Sequence, residues 1–240
     1  MAENNAPRHG LAVSDQGTMA YIFDFSSIWE YREYLLNGVI GTLRLTLVGT
    51  VFGVAIGILG AISRAWKLPV LSPIYTVYVE LIRNTPFIVQ LFFVFFGLPS
   101  LGIHLSEWQA ATIAMVLNLG AYSTEIIRAG VESVPKGHIE AASALAMSRF
   151  QIFRCVVLRQ ALLKMWPALS SQIVIVMLGS SVCSQISAEE LTFGAGFITS
   201  RNFRSFEVYF VVTIMYFLLA VGVRRVLGLF GRYVLARRAT

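Results

Sequence analysis

Five long runs of apolar residues alternate with short polar segments along the chain. Each run is about as long as a helix that crosses a bilayer, which needs roughly 20 mostly apolar residues. The runs cover approximately residues 36–62, 70–98, 108–128, 165–188 and 207–228. This pattern predicts an all-α membrane protein with about five transmembrane helices.

Two of the runs contain residues that predict local features of the bundle. Gly49, Gly53 and Gly57 recur at every fourth position and leave bare backbone on one helix face, which favours close packing against a neighbouring helix. In the second run, the polar segment 83–86 ends in Pro86 and predicts a kink or break near mid-membrane, because proline lacks a backbone donor. Backbone groups freed at that depth require protein or a water-lined cavity beside them.

The segments outside the runs divide the rest of the chain. Residues 1–20 are small and polar and predict a disordered tail, whereas 21–35 mixes aromatic and charged residues and suits a helix lying in the membrane interface. The membrane domain then covers 36–232, and a basic tail covers 233–240.

Composition and charge support a membrane protein and predict its orientation. The chain is 56% hydrophobic and 13% charged, with a mean hydropathy of +0.69, which lies outside ordinary soluble composition. With five spans, thirteen Lys and Arg fall on one side, which predicts that this side is cytoplasmic, that the N-terminus is outside and that the C-terminus is in the cytoplasm. The thirteen are Arg64, Lys67, Arg128, Lys136, Arg149, Arg154, Arg159, Lys164, Arg224, Arg225, Arg232, Arg237 and Arg238. The net charge of +6 therefore indicates orientation and no nucleic-acid partner.

Charged residues within the runs are costly in a membrane and are candidate functional residues. Glu80 and Arg83 stand three residues apart on one helix, as do Glu125 and Arg128, so we interpret both sets as structural ion pairs. Arg44 lies near the outer end of its run, where its side chain can extend to the interface.

Five uncharged polar residues in or beside the runs are candidates for a substrate path. Amide groups and the frayed backbone near Pro86 offer donors and acceptors to a zwitterion, and hydrogen bonding between helices is the alternative role. The five are Asn84, Gln90, Asn118, Gln172 and Gln185.

The sequence offers no pattern typical of catalysis or metal binding. Cys155 and Cys183 are far apart and are interpreted as packing residues, and His9, His104 and His138 are scattered. A phosphate-binding GxxxxGK[ST] motif is absent, so we expect this chain neither to be an enzyme nor to bind ATP by that motif.

Three segments carry a resemblance to a known family. They are YVELIRNTPFIVQLFFVFFGLP (78–99), GAYSTEIIRAGVESVPKGHIEAASALAMS (120–148) and EELTFGAGFITSRNFRSFEVY (189–209). Together they resemble the permease subunits of ATP-binding-cassette importers with the type I fold, in the branch that takes up polar amino acids. In that family the EAA loop, here around 136–163, forms a coupling helix, and apolar spacing predicts one helix from Ile139 to Leu163.

The resemblance implies that this loop binds a separate ATPase. The implied interface consists of Glu140, Ala141, Ala142, Ala146, Met147, Ser148, Arg149 and Phe150. The chain departs from the family in having Ala146 where glycine is usual and Arg159 where proline is frequent. Because Ala146 replaces glycine, the sharp turn that glycine permits at this position is in question. Arg159, unlike proline, lets the helix continue.

The resemblance also implies a set of partners in a bacterial inner membrane. They are two copies of a cytoplasmic ATP-binding subunit, which hold ATP and Mg²⁺, a second permease, an external substrate-binding protein and the lipid bilayer. No cofactor is expected in this chain. The amino acid or opine-like solute carried, and whether the second permease is identical or homologous, stay open.

A proton-coupled secondary transporter is the main alternative, with Glu80 and Glu125 as proton carriers. Such carriers usually have paired halves, and the five runs show no repeat. A membrane scaffold or enzyme anchor is a third possibility.

Overall fold

The computed structural model describes residues 11–13, 19–21 and 23–236, and nearly all of them are helical. Two short strands, β1 (Leu11–Val13) and β2 (Met19–Tyr21), pair antiparallel. The helices are α1 (Ser26–Glu30), α2 (Arg32–Ala65), α3 (Leu71–Arg83), α4 (Phe87–Phe92), α5 (Glu107–Glu132), α6 (Lys136–Ala144), α7 (Arg149–Ile152), α8 (Leu158–Gly179), α9 (Leu191–Asn202) and α10 (Ser205–Ala236). Wider or tighter helical turns join some of them at Phe93–Gly97, Leu98–Leu101, Phe153–Val157 and Ser180–Ile186.

The glycine strip of α2 packs along α5, and the order of its contacts shows that these helices run parallel. Gly49 lies against Met115, and further along both helices Gly57 lies against Ser123. Parallel helices start on the same side of the membrane, so α3 and α4 between them must bring the chain back across. These two helices meet at a bend of 113° and form one broken span. With α2, α5, α8 and α10, they complete the five spans predicted, and the predicted glycine packing is confirmed.

Most Lys and Arg residues of the spans lie at one end of the bundle. Arg64 on α2 donates to Glu125 on α5 at 2.7 Å, and Trp166 on α8 donates through Nε1 to the carbonyl of Leu227 on α10 at 3.0 Å. We call this end, which contains Arg64, Arg128 and Lys164, the basic end. The opposite end, where α2, α5 and α10 begin, is called the far end.

The segments before the first span differ from the expectation. Within residues 1–20, expected to be disordered, Leu11–Val13 pairs with Met19–Tyr21, and the other residues of the tail lie outside the described part. The interfacial helix expected over 21–35 is divided, because α1 covers only Ser26–Glu30 and α2 already begins at Arg32. At the C-terminus, α10 continues through Ala236 into the expected tail.

The loop at the basic end is not the single helix expected from Ile139 to Leu163. α6 ends at Ala144, and a new helix begins at Arg149. Ala146 between them has a φ of +56°, in the left-handed region, which a continuous helix does not contain. The prediction was wrong here because apolar spacing continues across the turn. After Arg149 the helical turns continue through Arg159, as its departure from proline implies.

α9 closes the far end by packing against the first turns of α2. A side chain on Gly38 or Gly41 would collide with the backbone of residues 189–191. Nearer the N-terminus of α2, the rings of Tyr34 and Phe197 stack with centroids 4.1 Å apart. The chain therefore passes close to α2 just before α9.

Candidate functional site: a membrane cleft and a loop at the basic end

The break between α3 and α4 lies within the membrane, and nearby polar groups satisfy its backbone. The Asn84 amide donates to the carbonyl of Glu80 at 2.8 Å, and the Thr85 hydroxyl donates to the carbonyl of Leu81 at 2.8 Å. Pro86 has an extended conformation (φ −63°, ψ 141°) and starts α4. Proline therefore sets the turn at the break, and polar side chains replace the lost helical hydrogen bonds.

Gln90 connects this break to α5. Its Nε2 donates to the carbonyls of Ile82, at 2.7 Å, and Thr85, at 3.0 Å. Its Oε1 accepts from Nδ2 of Asn118 at 3.0 Å. Gln90 and Asn118 therefore make a hydrogen bond between helices, the alternative role for these residues, and hold the broken span against α5.

A cleft of about 320 Å³ opens beside the Gln90–Asn118 pair. Asn118 and Gln172 both line it, and Tyr122 adds a phenol ring, so two of the five path candidates share one cavity. The complete lining is Thr85, Pro86, Phe87, Asn118, Tyr122, Gln172, Ile175, Val176, Gly179 and Val182. The cleft is therefore lined by two amide side chains and by the backbone turn at Pro86.

The other two path candidates lie apart from this cleft. Asn84 is exposed and donates to the carboxylate of Glu80 at 3.1 Å. Gln185 lines a different pocket with Ser184, Thr192 and Tyr209 near α9. Tyr122 was missed from the sequence because it looks like an ordinary apolar-face aromatic.

The two ion pairs expected inside the membrane have different outcomes. Glu125 pairs with Arg128 as expected, and it also binds Arg64 on α2 at 2.7 Å. Arg128 binds Glu132 as well, at 2.5 Å, so four charges join α2 to α5 at the basic end.

The Glu80–Arg83 pair was a wrong prediction. The Glu80 carboxylate accepts from Asn84, and the Arg83 guanidinium lies 5.5 Å from the centre of the Tyr122 ring. Helical spacing of three residues permits a pair but does not select it over such competing partners.

Two fully buried carboxylates at the far end were missed from the sequence. Glu190 accepts from the Tyr216 hydroxyl at 2.5 Å and the amide of Phe193 at 2.9 Å, and burial raises its pKa. Glu207 accepts from Arg204 at 3.1 Å and from the amide of Asp24. These bonds tie the N-terminal segment and α9 to α10. Hydrogen bonds from Ser26 lower the pKa of the Asp24 carboxyl.

The loop at the basic end folds around its own small core. Val134, Ala142, Ile152, Val157 and Ala161 are buried together. Ala142 is only 4% exposed, so its assignment to a partner interface was wrong in this chain, since its methyl group packs inward. Cys183 is buried as expected, whereas Cys155 is exposed beside this core, so the packing interpretation holds only for Cys183.

The two most exposed apolar side chains of the loop lie on its outer surface. Leu145 is 77% exposed and Phe150 is 70% exposed. Leu145 was not among the expected interface residues, whereas Phe150 was. The other expected residues at the surface are Glu140, Ala141, Ala146, Ser148 and Arg149, and Met147 is half-buried against the loop core. Exposed apolar side chains beside charged residues such as Glu140 and Arg149 mark a surface suited to a protein partner.

The turn between α6 and α7 is made without glycine. The amide of Met147 donates to the carbonyl of Ala142 at 3.3 Å, and that of Ala146 to the carbonyl of Ser143 at 3.0 Å, which is the Schellman pattern at a helix end. The Ser148 side chain then caps α7 in a capping box with Gln151. Alanine therefore makes the turn that was in question.

We expect Ala146→Gly to stabilise the loop by about 1 kcal/mol, because glycine adopts the left-handed conformation without the strain of a Cβ atom. The methyl group that is lost is exposed. Slower hydrogen exchange of the amides in 136–157 measures the gain. Ala141→Gly, inside α6 and likewise exposed, is the matched control and should speed exchange, since glycine weakens a helix interior. Faster exchange in Ala146→Gly would contradict the assignment of strain.

The sequence profile described as "Binding-protein-dependent transport system inner membrane component" matches residues 53–235, which includes the broken span, the cleft and the whole loop. The chain belongs to this family. It is therefore a permease subunit of a transporter in the inner membrane, which works with ATPase and substrate-binding partners, and the predicted resemblance is confirmed.

Other members of the family are similar over most of their length. The chain is 34% identical over 201 residues to the glutamine transport system permease protein GlnP of Escherichia coli (strain K12), covering 83% of this chain and 92% of that protein. It is 35% identical over 211 residues to the L-cystine transport system permease protein TcyL of Bacillus subtilis (strain 168), covering 85% and 88%.

A solved structure supports the fold of this inner membrane component. The crystal structure of an amino acid ABC transporter with histidines has a chain that is 32% identical and superposes with a TM-score of 0.82 over 88% of this chain and 99% of that one. The membrane chain of the MetNI methionine ABC transporter, at 19% identity and a TM-score of 0.63, shares the fold. The type I importer permease fold is thus confirmed.

Proposed function

We propose that this permease carries polar amino acids inward and that a separate ATPase drives it through the loop at the basic end. The observation that carries the proposal is this loop, which is folded around its own core and presents Leu145 and Phe150 to solvent. A groove on the ATPase would hold these side chains, with Glu140 and Arg149 as rim charges. Two ATPase copies would bind the ATP and Mg²⁺, so this chain would supply mechanical coupling and no catalysis.

The substrate path runs past the amide cleft. An amino acid needs donors for its carboxylate and acceptors for its ammonium, and the amides of Asn118 and Gln172 offer both. Relatives are named for glutamine and cystine transport, and a solved relative for amino acid transport, which supports this substrate class.

A second permease subunit would cover the exposed face of α3. Glu80, Arg83 and Asn84 are exposed there, although Tyr78 on the same helix donates to the carbonyl of Leu117, well inside α5. Charged side chains at that depth face protein or a water-filled path and not lipid. The second permease, identical or homologous, would form the path together with this chain.

The basic end would lie in the cytoplasm, and the N-terminus and far end outside. Arg64, Arg128 and Lys164 gather at the end that also carries the loop. Positive residues favour the cytoplasmic side, which is where an ATPase finds ATP. The external substrate-binding protein would then dock at the far end.

Transport through the cleft is tested with Asn118→Leu. Leucine has a similar volume but removes the donor to Gln90 and the amide in the cavity, so we expect uptake of amino acid into proteoliposomes to fall about tenfold or more. The assay contains the ATPase, ATP inside the vesicles and the binding protein outside. Thr213→Val removes a polar group from α10, outside the cleft, where the hydroxyl donates to the carbonyl of Tyr209 in the same helix, and serves as the control.

Two results would overturn the proposal. Equal uptake by Asn118→Leu and the intact chain would remove the cleft from the path. Uptake driven by a proton gradient without ATP would favour a secondary transporter, although Glu125, bound by two arginines, is poorly placed to exchange a proton.

A further inference from the structure

A second polar cavity, of about 660 Å³, lies at the far end between α2, the start of α5 and the segment that leads into α9. It is separate from the amide cleft and shares no residue with it. Its exposed polar and charged side chains are Tyr34, Asn37, Arg44 and Glu189, and the indole of Trp108 forms one wall. The buried Glu190 also lines it, but its carboxylate already accepts hydrogen bonds from Tyr216 and the amide of Phe193. We call this cavity the far-end cleft.

The depth of the far-end cleft follows from helix geometry. Arg44 and Arg64 are twenty residues apart on α2, a rise of about 30 Å, which is the thickness of the hydrocarbon core. Arg64 marks the basic end, so Arg44 lies at the opposite boundary between hydrocarbon and headgroups. Trp108 agrees with this depth, because it lies in the first turn of α5, and tryptophan favours the membrane interface.

The backbone positions that carry the two exposed charges of the cleft are offset along the membrane normal. Gly41 packs against the carbonyl of Glu189, so this glutamate lies about one helix turn further from the hydrocarbon than Arg44. Both side chains are exposed, and among the described residues neither takes part in an ion pair. The cleft therefore offers a cation at the hydrocarbon boundary and an anion above it.

This order of charges is complementary to a zwitterionic phospholipid. The phosphate of such a lipid lies next to the hydrocarbon, and its ammonium lies further out. We propose that the far-end cleft binds the headgroup of a phosphatidylethanolamine-type lipid, with Arg44 on the phosphate and Glu189 accepting hydrogen bonds from the primary ammonium. The proposal does not depend on the transport mechanism. Only the assignment of this lipid to the outer leaflet depends on the proposed orientation.

A free amino acid has related chemistry but fits the spacing less well. Its ammonium and carboxylate are attached to one carbon, whereas an ester oxygen and an ethylene group separate the two charges of the lipid headgroup. The longer group matches charges that are one helix turn apart. The apolar wall at Trp108 also favours a ligand with acyl chains.

Native mass spectrometry of the full-length chain in detergent tests the proposal. The protein is incubated with equal amounts of short-chain phosphatidylethanolamine, phosphatidylcholine and phosphatidylglycerol, and the retained lipids are counted. We expect the intact chain to prefer phosphatidylethanolamine. Arg44→Gln should weaken retention of every phospholipid at this site about tenfold, because a charge-assisted bond to phosphate is lost.

Glu189→Gln has a different expected signature. It should remove the preference for phosphatidylethanolamine over phosphatidylcholine, whose quaternary ammonium donates no hydrogen bond, while retention of phosphatidylcholine stays the same. Arg32→Gln and Glu33→Gln are matched controls, since both charges are exposed on the first turn of α2 but do not line the cleft. These controls should behave like the intact chain.

Three outcomes would overturn the inference. Equal retention of the three lipids by the intact chain would mean that no headgroup is recognised. Displacement of the lipid by free glutamine would assign the cleft to a soluble zwitterion. Crosslinking of two copies through Asn37→Cys, which also lines the cleft, with no lipid retained by the intact chain, would make the cleft an interface between permeases.

Discussion

Leu145→Asp combined with Phe150→Asp is expected to abolish co-purification of the permease with its ATPase, with affinity reduced at least about 100-fold. Each exposed side chain buried in a groove contributes about 1.5–3 kcal/mol, and a buried unpaired carboxylate adds a desolvation cost. Because both side chains point away from the loop core, the permease itself should stay folded. Affinity pull-down, followed by ATPase activity of the eluate, measures the effect.

The control for this experiment keeps the apolar surface. Leu145→Met with Phe150→Leu preserves most of the buried volume and should retain the ATPase. Ala142→Trp is unsuitable as an interface test, because Ala142 is enclosed by the core of the loop and the larger side chain would disrupt it. If the double aspartate variant still binds the ATPase normally, the partner contacts another surface and the proposed coupling is wrong.

Gly57→Val is expected to prevent stable folding, with a loss of about 3 kcal/mol or more. A Cβ atom at this position would overlap the Ser123 side chain and lie 3.0 Å from backbone atoms of Ser123 and Thr124. Backbone does not move aside as a flexible side chain does, so α2 and α5 would have to separate along their whole contact. Fluorescence-detected size-exclusion chromatography during heating gives both the folded fraction and the midpoint.

Gly222→Val is the matched control for Gly57→Val. Gly222 lies on α10, where no atom lies within 4 Å of the added Cβ position. The change adds the same side chain to a spanning helix without a collision, so its midpoint should stay close to that of the intact chain. Similar midpoints for the two variants would show that contact between α2 and α5 does not limit stability.

The spans and their packing could be predicted because they depend on properties that a sequence displays directly. Apolar runs of bilayer length give the helices, and glycine at every fourth position gives the packed face. Pro86 marked the broken span for a similar reason, since proline removes a donor wherever it stands. The family resemblance rested on the same segments that carry these features.

The details of the loop and of the polar groups in the membrane could not be predicted, because each polar side chain has several possible partners and the sequence does not show which one it binds. Spacing allowed Glu80 to bind Arg83, but Asn84 is equally near and Arg83 reaches Tyr122. Ala141 and Ala142 look alike in sequence, yet only Ala142 is buried. An alanine in a sequence does not indicate a positive φ, so the turn at Ala146 could not be predicted either.

The loop at the basic end folds around its own core, which affects how transporters of this kind can change their partners and substrates independently. Its core is contained within the loop and its immediate flanks, and Lys164 donates to the carbonyl of Ser133 at 2.6 Å, which fastens the two ends together. The amide cleft draws on other parts of the chain. With the loop as the proposed ATPase-binding surface and the cleft on the proposed substrate path, mutations that change the ATPase partner need not change the substrate, and one ATPase can serve permeases of different specificity.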